Sequence, residues 1–130
     1  MYRENYGSVS WGLPNEGSWR PPMDVYETED SVVVLMEIAG LTANDYEITL
    51  SGRILTVAGE RRSPAGKLVY QQMEIRHGRF RAQVHLPWPL EPTGQTASYE
   101  NGFLKITLPK AQVRRVSVQS SDAADKEINQ

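Results

Sequence analysis

The sequence has no cysteine. Disulfides, iron–sulfur clusters, thiolate zinc sites and cysteine nucleophiles are therefore excluded, and a reducing compartment fits. It has only two histidines, His77 and His85, and neither belongs to an H-x-x-x-H or H-E-x-x-H spacing. A zinc site lacks its ligands, and both histidines read as surface residues. Long apolar runs are missing as well. The longest spans residues 32–36, whereas a membrane helix needs about 20 residues. The stretch "MYRENYGSVSWGL" contains no apolar core of a secretory signal. A cytoplasmic protein without integral membrane association is the expectation.

Neither sign of charge dominates: 14 Lys and Arg stand against 16 Asp and Glu, for a net charge of −2. Arg61-Arg62 and Arg114-Arg115 are pairs too short to make a basic face, so nucleic acid is not an expected partner. No G-x-S-x-G elbow occurs, and Gly52, Gly59 and Gly66, seven apart, match neither phosphate-loop nor dinucleotide spacing. Glu27, Glu29 and Asp30 cluster at a turn and read as solvated rather than as an acid pair or calcium loop. With no constellation of placed, tunable groups, the chain reads as a non-enzyme without cofactor or metal.

A sustained helical period is also absent; the best candidate, residues 41–45, is about one turn. What is present is a period of two. Met23 to Glu27 reads as an edge strand and residues 31–38 as a buried one. Tyr46, Ile48 and Leu50 alternate with polar residues. Leu55 and Val57 face inward from the next strand, and residues 80–86 form another, cut by Pro87. "SYENGFLKITLPK" closes the series. Asn101-Gly102 tolerates the positive φ of a tight hairpin turn, and Leu104, Ile106 and Leu108 alternate with Lys105 and Thr107. Short strands punctuated by Gly and Pro predict one all-β domain, a β-sandwich.

Three segments stand outside this pattern. Residues 1–22 are rich in Gly, Ser, Asn and Pro yet carry Tyr2, Tyr6, Trp11 and Trp19; they read either as a flexible tail or as a sticky segment that packs on another surface, since a solvated linker rarely carries two tryptophans. Residues 61–79 interrupt the sandwich as a long excursion with a weak strand at Leu68, Val69 and Tyr70. Beyond Lys110 the chain turns polar. Val113, Val116 and Val118 stand alone there, the last two flanking Ser117, and residues 120–130 are expected to be disordered.

In order along the chain, "WRPPMDVYETED", "MEIAGL", "GRILTVAGER", "EIRHGRFRAQVHLP" and the pattern A-x-x-x-N-G-x-L, met by Ala97, Asn101, Gly102 and Leu104, resemble the small heat-shock proteins of the α-crystallin family. The resemblance covers residues 19–118. It implies an immunoglobulin-like antiparallel sandwich over residues 23–111, an N-terminal arm over 1–22 and a C-terminal extension over 112–130. It implies an ATP-independent holdase that binds non-native client proteins, with Tyr2, Tyr6, Trp11 and Trp19 as client-binding candidates. It implies a homo-oligomer of dimers, in which Leu68, Val69 and Tyr70 pair with the partner's edge at Met23 and Val25. Finally, it implies that Val116 and Val118 anchor the tail in a neighbour's groove formed by Ile48, Leu50, Ala97 and Tyr99. Three positions depart from the family pattern: Ala82 replaces an arginine, Gln95 an apolar residue, and valine fills both anchor positions. Two other readings stay open: a CS-type co-chaperone adaptor, and a β-sandwich ligand-binding module using Trp11, Trp19 and Trp88.

Overall fold

The structure, a computed structural model, describes residues 10–11, 17–112, 115–119 and 125–129. The strands are β1 (Ser10–Trp11), β2 (Met23–Glu27), β3 (Ser31–Glu37), β4 (Tyr46–Ser51), β5 (Ile54–Arg61), β6 (Gly78–His85), β7 (Thr96–Glu100), β8 (Phe103–Pro109), β9 (Arg115–Gln119) and β10 (Asp125–Asn129). One sheet has the order β1-β6-β5-β4, the other β2-β3-β8-β7, with every neighbouring pair antiparallel. This is the sandwich expected from the period of two.

The pattern explains the core. In β3, Val32, Val34 and Met36 are fully buried, and opposite them in register stand Leu108, Ile106 and Leu104 of β8. Leu55 and Val57 of β5 and Phe80, Ala82 and Val84 of β6 close the core from the second sheet. A one-residue slip would turn each buried set to water, so the period of two excludes it. The hairpin between β7 and β8 turns on Asn101 (φ 54) and Gly102 (φ 82), between the paired Glu100 and Phe103. Two successive positive φ angles match the right-handed twist of the flanking strands, which is why Asn-Gly occupies the turn.

Four expectations change. The helical turn is a 3₁₀ helix, Ala43–Asp45, on the crossover from β3 to β4. The excursion contains no strand: Leu68, Val69 and Tyr70 lie in irregular, exposed chain. A strand needs a neighbour for its backbone groups, and this fold offers none there. The tail holds a strand where disorder was expected: β10 pairs with β9, from Asp125 opposite Gln119 to Asn129 opposite Arg115. Local pairing satisfies these backbone groups without a core.

The arm is the fourth. Trp19 belongs to the sandwich rather than to a free arm. Its backbone N–H donates to the Arg79 carbonyl at 3.0 Å, and its carbonyl accepts from Arg81 at 2.9 Å. Its ring lies 5.9 Å from that of Phe80. Together with β1, which pairs Trp11 with Val84, it covers the outer edge of β6.

Candidate functional site

Sandwich sheets have two ends, and here they are treated differently. Among the described residues, β4 and β7, each the last strand of its sheet, have a neighbour on one side only. Between them the sandwich stays open. A groove of about 570 Å³ runs there, with Ile48 and Leu50 of β4 on one wall and Thr96 and Ala97 of β7 on the other. Its floor is the core itself, through Leu55, Ile106 and Leu108. Leu90, Glu91, Pro92 and Gln95 close one end. The alternation in β4 puts Tyr46, Ile48 and Leu50 half-buried on one face and Glu47 and Thr49 in water, so the groove wall is apolar by sequence.

Glu91 builds that end. Its backbone N–H donates to the Pro109 carbonyl at 2.9 Å, and its carbonyl accepts from Gln95 Nε2 at 2.7 Å. Gln95, the polar departure, thus braces the groove wall with its amide satisfied. The Glu91 carboxylate accepts the Gln112 backbone N–H at 2.9 Å, and the Ala111 N–H donates to the Pro89 carbonyl. The extension therefore leaves the domain beside the groove. Further along it, Val116 is 46 % exposed and Val118 is half-buried.

The groove brings together Ile48, Leu50 and Ala97 but not Tyr99. Tyr99 fastens the crossover instead. Its hydroxyl donates to the Ile38 carbonyl at 2.8 Å and accepts the Leu41 N–H at 3.2 Å, while its ring lies 6.0 Å from Tyr46. Replacing Tyr99 by Phe strands both backbone groups and should lower stability by about 1–3 kcal/mol. Urea unfolding reads this directly; a midpoint equal to the parent's would remove the hydroxyl from the account.

A second surface is the excursion. Val69 is 85 % exposed, Ile75 67 % and Met73 62 %, and Leu68 and Tyr70 are about half exposed. On the other sheet β2 pairs, among the described residues, with β3 alone, so its outer backbone edge has no described neighbour, and Met23 and Val25 are half-buried. Ala82 is buried against the core, so no arginine ion pair forms at that position.

The aromatic candidates separate. Tyr2 and Tyr6 lie outside the described residues. Trp11 is placed by its backbone pairing alone. Trp19 and Trp88 pack on the domain's own core, which takes two of three tryptophans from a carbohydrate platform. Among the described residues no group of acids and histidines could hold a metal, and no helix is long and apolar enough to cross a membrane.

The sandwich has known counterparts. A family model for the Hsp20/alpha crystallin family matches residues 24–121. The chain belongs to the Hsp20/alpha crystallin family. It is 30 % identical over 104 residues to small heat shock protein C2 of Rickettsia felis, covering 76 % of this chain and 68 % of that one. It is 28 % identical over 121 residues to heat shock protein 16 of Schizosaccharomyces pombe, covering 88 % and 85 %. Among solved structures, a small heat-shock protein of Xylella fastidiosa, described as having a distinct high order structure, superposes with TM-score 0.67 at 28 % identity. That comparison covers 80 % of this chain and all of the other. Heat shock protein 16.0 of Schizosaccharomyces pombe superposes with TM-score 0.64 at 27 % identity, covering 75 % and 71 %. The Hsp20/alpha crystallin family is one of chaperones, not enzymes.

Sequence reasoning missed Glu91 and Gly59. Glu91 carries no local signature. Gly59 lies inside "TVAGER", and its role appears only when the crossover is folded over it.

Proposed function

We propose that this protein is an ATP-independent holdase of the cytoplasm that captures unfolding proteins and assembles as strand-exchanged dimers into larger homo-oligomers. The observation that carries the reading is the amount of unpaired surface on a small domain. It has a groove open to its own core, exposed aliphatics on the excursion and, among the described residues, edge strands β2, β4 and β7 paired on one side only. Monomers normally protect such edges and apolar patches, because they template association.

Assembly covers them in steps. The excursion at Leu68, Val69 and Tyr70 supplies the missing neighbour for β2 at Met23 and Val25 of a second copy, so both gain backbone partners. The tail plug at Val116 and Val118 fills the groove at Ile48, Leu50 and Ala97 of a neighbouring dimer. Each valine contributes at most roughly 1.5 kcal/mol, so one docking is weak and many combine by effective concentration. Weak contacts let subunits leave on heating and expose the arm, with Tyr2, Tyr6 and Trp11, to clients. Chemistry, nucleotide and cofactor play no part in this cycle.

Deleting residues 64–72 and closing the gap should give folded monomers by sedimentation equilibrium. A dimer that persists would place the interface elsewhere. The function itself is tested by heating a client with the protein and fractionating by size. A soluble complex containing both chains is expected, and a client found only in the pellet would sink the proposal.

A further inference from the structure

Arg61 is the last residue of β5 and stands opposite Gly78, the first of β6, where the excursion leaves and returns. Its guanidinium has no carboxylate partner among the described residues. It turns instead to main-chain oxygens from two segments. Nε and Nη2 donate to the Arg76 carbonyl, the former at 2.9 Å, and Nη1 donates to the Ala39 carbonyl at 3.3 Å. The same guanidinium lies 4.7 Å from the centroid of the Trp19 ring. Trp19 Nε1 in turn donates to the Gly78 carbonyl at 3.3 Å. The returning limb of the excursion is thus held from both sides, by Arg61 at Arg76 and by Trp19 at Gly78. A planar fork with five donors can serve two carbonyls and still present a face to an aromatic ring, which a lysine cannot do.

We infer that Arg61 and Trp19 form a clasp that couples the docking of the arm to the ordering of the excursion base. A seated Trp19 keeps the guanidinium aimed at Arg76, and the excursion then leaves the domain in one direction. When the arm lifts, the guanidinium loses its platform, the limb at residues 76–78 loses its anchor, and the excursion becomes free to swing. Arg61 is a positioning residue: it acts through the segment it holds. The consequence for assembly rests on the reading of the excursion as the dimer strand; the consequence for the excursion base does not.

The test uses the full chain with Arg61→Lys, Trp19→Phe and the double variant. Backbone order parameters at residues 74–78 should fall from about 0.85 toward 0.6 in each single variant, with β3 and β8 unchanged, since local ordering is being read rather than global unfolding. The double variant should fall little further than either single one, because each change breaks the same clasp. Dimer dissociation constants, measured alongside, should rise in the same order. Unchanged order parameters in Arg61→Lys would remove the clasp. Additive effects in the double variant would show two independent anchors and overturn the coupling. Loss of order in β3 and β8 in one variant would mark it as unfolded, leaving the other single variant to decide. Lowered order with unchanged dimer affinity would leave the clasp standing and remove the excursion from the interface.

Discussion

Gly59→Ala is expected to abolish the stable fold. A Cβ at this position would lie 2.1 Å from the Asp45 carbonyl oxygen, 2.7 Å from Phe80 Cζ and 2.9 Å from Tyr46 Cα. Two of these three neighbours are backbone, and they cannot swing away as a flexible side chain would. Gly59 is the register partner of Tyr46, where the crossover descends into β4. That descent is locked: the Thr42 N–H donates to the Asp45 carboxylate at 2.7 Å, and Arg62 pairs with it at 2.9 Å. The Thr42 N–H foremost, and the Thr42 hydroxyl and Arg62 after it, hold the Asp45 carboxyl below its ordinary value. This contribution is present above the unfolded-state value and fades as pH falls through the lowered one. Overpacking among movable side chains costs about 1–3 kcal/mol; here the backbone itself must shift, against a total stability of roughly 5–15 kcal/mol. Thermal unfolding followed by circular dichroism should show a midpoint lower by about 10 °C or more, or no transition at all. A midpoint within the error of the parent's would mean that the crossover is far softer than its contacts imply.

Replacing Val116 and Val118 together by Ser should reduce the assembly to dimers. Two residues apart in an extended strand, their side chains point to one side about 6.7 Å apart, with Ser117 on the other. The groove presents Ile48 and Leu50 at the same spacing along β4. Area bookkeeping puts the pair at up to about 3 kcal/mol per contact, less the cost of ordering the tail. That margin is small, so its loss at every contact dissolves the larger particle. The dimer survives, because its proposed edge is β2, on the other side of the second sheet from β7. Light scattering at micromolar concentration reads the mass. A native-sized particle from the double variant would leave the two valines as ordinary apolar residues in a tail.

How far these surfaces could be read in the residue pattern depended on how local their causes were. The alternation through Val32, Val34 and Met36, and through Leu104, Ile106 and Leu108, set strand faces because period two needs no knowledge of the partner strand. Asn101-Gly102 announced its hairpin because two adjacent residues carry the whole conformational demand. Ile48, Leu50 and Ala97 could be grouped in advance through family resemblance, and the fold places all three on one groove. Tyr99 shares that strand face, but its hydroxyl reaches Ile38 and Leu41, a meeting about sixty residues apart that no local pattern encodes. Trp19 read as part of a loose arm because its neighbours are Gly, Ser and Pro; its partner, Phe80, is equally distant in the chain. Leu68, Val69 and Tyr70 have strand character without a strand in this chain, which is what a segment lacking its pairing edge looks like. The β9–β10 ribbon carries little signal because Val116 and Val118 alternate over one short stretch and residues 125–129 hold a single apolar residue, Ile128, so no period marks a second strand.

Exposed edges and apolar surface on this domain are proposed to hold unfolding proteins in solution without chemistry. The most direct measurement is turbidity of a heat-labile client, warmed to its unfolding temperature with equimolar protein and no nucleotide. Light scattering is expected to stay near the unheated baseline with the protein present and to rise fully without it. A full rise in both samples, with this protein still folded by circular dichroism at that temperature, would contradict it.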